Sequence, residues 1–187
     1  YNLYYMDYKK KYLKYKKKYL QLKIINQIGG KEKKTSLKNN KIKNCSLKIP
    51  ENKNFKEDDL VMLNKFSDNL STIREEIDKQ NINYYIDFII SSLFEANKYF
   101  NDQEPWKKKN DKDRLNTIVY TSLEMIRKIS FMLYPIIPDS IEKVLTIFDL
   151  KTTDINLNSI AIHNYLQSGN DLKKIGRLFK KIEKKND

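Results

Sequence analysis

Trp106, the single tryptophan of the chain, follows Pro105 and precedes Lys107, Lys108 and Lys109 in a polar stretch. A flat π surface beside three ammonium groups can stack on a nucleobase while the lysines meet phosphates. Such stacking contributes roughly 1–3 kcal/mol per base. The same residues also allow Trp106 to fold back as a cover over an apolar core. Tyrosines offer a second aromatic surface. Tyr8-Lys-Lys-Lys-Tyr12-Leu13-Lys14 is repeated as Tyr15-Lys-Lys-Lys-Tyr19-Leu20-Gln21, and Tyr5, Tyr8, Tyr12, Tyr15, Tyr19 and Leu22 recur at spacings of three and four. Those spacings put one aromatic stripe on one face of a basic amphipathic helix. The stripe suits an anionic surface, or an arm that stacks on bases; its like charges equally suit a frayed, solvated helix.

The other chemically capable residues read as ordinary. His163 lies between Ile162 and Asn164, Cys45 has no histidine near it in sequence, and Glu75, Glu76 and Asp78 have the spacing of a solvated helix face. One Cys and one His exclude a disulfide framework and a metal site built from those ligands alone. With no Gly-rich phosphate loop and no acidic cluster at ligand spacing, neither a cofactor nor a metal is expected. No apolar run approaches the roughly 20 residues of a membrane span, and the lysine-rich start is unlike a signal peptide.

Charge divides the chain. Residues 1–50 hold 15 lysines against Asp7 and Glu32, which accounts for the whole net charge of +13 in 187 residues. Such an asymmetry marks a basic arm that meets a polyanion, or a lysine-rich coding bias. The expected organisation is a basic leader helix over residues 1–30, ended by Gly29-Gly30, a polar linker over 31–44, and a helical domain over 45–187. Met6, which opens the repeat, is an alternative first residue.

Four glycines and four prolines are too few for a sandwich or barrel, and the periodicity is helical. Glu57–Gln80 carries Leu60, Leu63, Phe66, Leu70, Ile73 and Ile77 on one stripe behind an acidic first turn. Asn83–Phe100 follows, with Ile86, Ile89, Ile90, Leu93, Phe94 and Ala96 facing inward. Asp111 or Asp113 caps a third helix through Leu133, which Pro135 and Pro138 end. A shorter helix starts at Asp139-Ser140 and runs to Phe148. The fold class is all-α: a helical bundle preceded by a basic amphipathic helix, with a less regular tail from Lys151 wrapping over it.

Several stretches resemble one family. Asn44-Cys45-x-x-x-Ile49-Pro50-Glu51 before Glu57-Asp58-Asp59 is similar to the start of the C-terminal helical domain of methionyl-tRNA synthetases of alphaproteobacterial and mitochondrial type. Ala96-Asn97-Lys98-Tyr99-Phe100-x-x-x-x-Pro105-Trp106 resembles its N-x-Y-x-x-x-x-x-P-W signature. Met132-Leu133-x-Pro135-x-x-Pro138-x-Ser140 resembles its L-x-P-x-x-P-x-S turn, and Leu178-Phe179-Lys180-Lys181-Ile182-Glu183 its closing L-F-P-R-I-E. Separately, Lys11 to Lys23 closing on Gln27-Ile28-Gly29-Gly30 resembles a leader of mimivirus-like giant-virus proteins.

The synthetase resemblance implies a class Ia anticodon-binding bundle that binds tRNA through its CAU methionine anticodon. Trp106 would stack on an anticodon base, Pro105 would shape its loop, Lys107, Lys108 and Lys109 would neutralise phosphates, and Asn97 would belong to the same signature. Where the family carries an Asn and an Arg that read the anticodon, counting back places Glu32 and Ser36, which cannot make the same contacts. The family's H-I-G-H motif has no counterpart, so no activity is expected of this chain alone, and methionine activation would need a separately encoded catalytic domain. The competing expectation is a non-catalytic structural or interaction protein of a giant virus, whose leader targets nucleic acid, a viral factory or an anionic surface. The expected location is the cytoplasm, or a factory or virion for a viral chain.

Overall fold

Three 22-residue helices form the body of the computed structural model, which describes residues 47–176 and Leu178. Ser46–Ile175 pack as one unit; the other, Tyr1–Cys45 with Gly176–Asp187, falls almost wholly outside the described residues. The leader, the linker, Cys45, and the Glu32 and Ser36 positions therefore lie outside them, as does most of the closing motif.

Helix α1 is Glu57–Asp78, α2 is Ile82–Gln103 and α3 is Lys112–Leu133. Their ends follow local chemistry. The Asn81 side chain accepts from the Tyr84 N–H at 3.3 Å to start α2, and Asp111 accepts from the Arg114 N–H at 3.0 Å to start α3. Gln80, in the left-handed region with φ 62°, turns the chain out of α1. Pro138 opens α4, Pro138–Leu145, where its fixed φ and missing N–H cost nothing. A short α5, Leu157–Ala161, follows, and two residues of β1, Leu47–Lys48, pair antiparallel with β2, Asp171–Leu172. Among the described residues no helix is long and apolar enough to cross a membrane.

The all-α expectation is borne out, and the tail does lie over the bundle: Leu166 donates its N–H to Glu124 on α3, and Lys173 donates to the Ile147 carbonyl. The expected inward faces need correction. On α1 the buried line runs through Asp59, Met62, Leu63, Phe66 and Ile73, whereas Leu60 and Ile77 are about 40 % exposed (41 % and 40 %). On α2 it runs through Phe88, Ile89, Ser92, Tyr99 and Phe100, leaving Phe94 47 % exposed. Scoring only apolar residues rotates both stripes, because Asp59, Ser92 and Tyr99 occupy core positions through hydrogen bonds.

Helix α3 is the axis of the fold, buried on nearly every side. Phe66 on α1 meets Phe88 on α2 edge-to-face at 5.4 Å, and the Tyr85 hydroxyl of α2 donates to the Met132 carbonyl of α3. A buried helix must satisfy its polar side chains internally. Lys128 does so by donating to the Leu63 carbonyl at 2.9 Å.

That lysine makes stability depend on pH. Burial, reinforced by the neighbouring Arg127 and opposed by Glu124 and Asp68, pulls its pKa from 10.5 down to about 8. Between those values the unfolded chain binds the extra proton, so stability rises with pH. Three tyrosines reverse the trend near pH 10, since partial burial pushes Tyr85 up to about 12 and burial raises Tyr99 and Tyr120 as well. The urea midpoint should climb between about pH 8 and 9.5 and fall beyond it. Lys128→Met should flatten the climb and add on the order of 2 kcal/mol at pH 7. An unchanged climb in that variant would assign it to another group.

Candidate nucleic-acid interface

The chain leaves α2 at Glu104, a non-glycine held in the left-handed region at φ 46° and ψ 56°. Pro105 then opens a 3-10 turn, Pro105–Lys107, and is itself buried. The turn closes on backbone bonds from Lys107 N–H to the Glu104 carbonyl at 2.8 Å and from Lys108 N–H to the Pro105 carbonyl at 3.0 Å. Asp111 N–H donates to the Lys108 carbonyl at 3.0 Å, and Asp111 in turn caps α3. The result is a short, fixed bridge from α2 to α3.

Trp106 projects from this bridge and is 45 % exposed. It neither covers the core nor stands free. Its ring leans on Phe100, a buried residue of α2, with centroids 6.2 Å apart and planes tilted by 58°. Part of the indole is thus propped by the core while much of its surface faces solvent. Lys107 is engaged by Glu104 at 2.7 Å, whereas Lys108 and Lys109 form no ion pair among the described residues. Pro105, Trp106 and the three lysines are therefore brought together. Asn97 sits apart, one helical turn before Phe100, half-buried and making no hydrogen bond to the turn.

Tyr99 stands at the tyrosine position of the same signature, and the structure gives it a different setting. Its hydroxyl points into the core and donates to Asp59 on α1. Arg114, in the first turn of α3, forks onto both oxygens of that carboxylate, with Nη2 to Oδ1 at 3.0 Å, and Asp59 also accepts from the Lys56 N–H at 2.8 Å. Burial alone would raise the Asp59 pKa. The hydrogen bonds from Arg114, Tyr99 and the Lys56 backbone outweigh it and hold the carboxyl below its ordinary value. Arg114 Nη2 reaches Gln103 Oε1 at 2.6 Å as well.

This network joins the last turns of α2 to the first turns of α1 and α3, and the tryptophan bridge runs between the same ends of α2 and α3. Sequence reasoning treated Asp59 as a helix-dipole residue and passed over Gln103 and Arg114. The available signal was Arg114 itself: a cation in the first turn of a helix opposes the dipole and needs a nearby carboxylate. His163 is half-buried just after α5, with its Nδ1 lacking a hydrogen-bond partner. Among the described residues no group of His, Cys, Asp and Glu could hold a metal ion.

Residues 49–187 match the family model described as the anticodon binding domain of methionyl tRNA ligase. The methionine–tRNA ligase of Brucella suis biovar 1 (strain 1330) is 38% identical over 106 residues, which is 56% of this chain and 21% of that protein. That of Rhizobium meliloti (strain 1021) is 32% identical over 132 residues, 70% of this chain and 26% of that one. The crystal structure of apo Mycobacterium tuberculosis methionyl-tRNA synthetase superposes with a TM-score of 0.66 over 73% of this chain and 28% of that one; at 23% identity it speaks to the fold. The chain thus spans about a fifth to a quarter of the length of these curated relatives.

Proposed function

Because this chain belongs to the family of methionyl-tRNA ligase anticodon-binding domains, we propose that it binds a methionine tRNA at the CAU anticodon, with Trp106 as the stacking platform. The observation that carries this reading is the half-exposed indole, fixed from behind by a proline-initiated turn and a buried phenylalanine. A platform already immobilised loses little entropy when a base settles on it. Lys108 and Lys109 stand beside it without carboxylate partners among the described residues and supply charge for the flanking phosphates. Asn97, set apart on α2, is assigned to the same tRNA contact as an amide able to donate and accept. The lysines of residues 1–50 add a sequence-independent, salt-sensitive attraction. Activation of methionine belongs to a catalytic part outside these 187 residues, since the whole ligases are four to five times longer than the stretch matched here.

The experiment compares two anticodon stem-loops, one with CAU and one with that triplet replaced, titrated with the full chain at near-physiological salt. The leader contributes equally to both, so the difference isolates the domain. CAU is expected to bind more tightly and to quench the single tryptophan. Trp106→Ala should lower that affinity by roughly 1–3 kcal/mol, a five- to 150-fold rise in Kd. Lys108→Ala and Lys109→Ala should weaken both stem-loops alike and lower the salt slope by about 1 each. Equal binding of the two stem-loops by the unaltered chain would end the reading.

A further inference from the structure

The bridge carrying Trp106 hangs between two helix ends, and one amide ties those ends together. Gln103 is the last residue of α2, two positions before Pro105. Its Oε1 accepts from Arg114 Nη2 at 2.6 Å in the first turn of α3, and its Nε2 donates to Asp58 Oδ2 at 2.9 Å in the first turn of α1. One side chain therefore spans all three long helices where the chain turns toward the indole. Its anchor is rigid, because Arg114 is only 7 % exposed and is already locked onto fully buried Asp59. The bridge needs such an anchor. Glu104, the next residue, holds a left-handed conformation that is uncommon for a residue with a side chain.

We propose that Gln103 is the positioning residue of the Trp106 platform, setting the angle at which α2 delivers the indole to a base. This rests on the nucleic-acid reading above and deepens it. The amide is specific to the task, because Arg114 requires an acceptor and Asp58 requires a donor. Leucine keeps the volume and offers neither. Glutamate keeps the acceptor but sets a carboxylate against Asp58. The Asp59–Arg114 pair remains in either variant, so the three helices stay joined while the exit of α2 loosens.

The test uses the full chain with Gln103→Leu and Gln103→Glu. Since Trp106 is the only tryptophan, emission wavelength and anisotropy of the free protein report on it alone. Both variants should keep the helical circular dichroism and a cooperative urea transition, while Trp106 anisotropy falls and its emission shifts to the red. CAU stem-loop binding should weaken about tenfold, the loss expected when a preorganised contact becomes mobile. In a Trp106→Ala background, Gln103→Leu should cost nothing further. Unchanged fluorescence and affinity would overturn the proposal, and so would an equal loss in the Trp106→Ala background, which would make Gln103 an independent contact. Should Gln103→Leu fail to fold, Gln103→Ala, which removes both contacts and adds no charge, decides by the same readouts. A Trp106→Ala chain that binds normally would remove the nucleic-acid reading, while the anisotropy of the free Gln103 variants would still judge the positioning role.

Discussion

Asp59→Ala should cost about 3–5 kcal/mol of folding stability, enough to unfold much of the domain at 37 °C. The carboxylate is fully buried and takes two bonds from Arg114, one from Tyr99 and one from the backbone N–H of Lys56, the residue that precedes its helix. Removing it strands a guanidinium in the core and a phenol without its acceptor, and an uncompensated buried charge costs more than the pair contributes. The paired substitution Asp59→Leu with Arg114→Met should therefore recover most of the loss. Acid should mimic the single variant. With the folded pKa held below the unfolded value near 3.8, this stabilisation is complete above that value and is lost as pH falls through the lower one. Urea midpoints of the single and paired variants check the idea; a paired variant no better than Asp59→Ala would refute the charge account.

A similar loss is expected at the opposite end of α3 for Arg127→Met. Arg127 and Glu124 are both fully buried, joined at 2.7 Å. The guanidinium also donates to the carbonyls of Ser159 at 2.8 Å and Ile162 at 3.1 Å, and lies beside the rings of Phe131 and Tyr165, 5.2 and 4.6 Å from their centroids. Glu124 holds the Leu166 N–H at 2.7 Å. One ion pair thus pins the segment from Leu157 to Leu166 onto α3. Arg127→Met should cost about 3–5 kcal/mol and expose the amides of that segment to hydrogen exchange before the three long helices open. Arg127→Lys should recover only part of it, because an ammonium cannot serve a carboxylate and two carbonyls in one plane. Full stability in Arg127→Lys would show that charge alone suffices.

These two arginines explain much of what the sequence concealed. Helix limits were legible where their signals are local, Asp111 as a cap and Pro135 and Pro138 as stops, whereas the second helix, expected over Asn83–Phe100, starts behind an Asn81 cap and runs on to Gln103. The faces were less so. A pattern of apolar residues cannot register Asp59, Arg114, Glu124 and Arg127 as core, since each is buried only by virtue of a partner 3 to 55 positions away. Composition offered a hint. In a chain that uses lysine for nearly every cation, only four arginines remain, and two of the three among the described residues, Arg114 and Arg127, have their forks filled inside. At the site, Pro105, Trp106 and the three lysines were visible because they are contiguous. The exposure of the indole was not, because it depends on where Phe100 stands. Gln103 was hidden for the same reason as the ion pairs.

The β1–β2 pairing joins Leu47 to Leu172 and Lys48 to Asp171, with Ile49 N–H donating to the Asn170 carbonyl at 2.8 Å. Antiparallel partners lie about 5 Å apart, so the polypeptide comes into this domain and goes out of it through one doorway. A unit with neighbouring ends can be spliced into an exposed loop of a host protein without stretching either. It also tolerates circular permutation, with a few residues sealing the old ends and new ones opened at a surface turn. The same seam closes a loop of more than 120 residues, the longest-range pairing among the described residues and the costliest of them in chain entropy. It should be the last part to form during folding and the first to open under tension applied through the two ends.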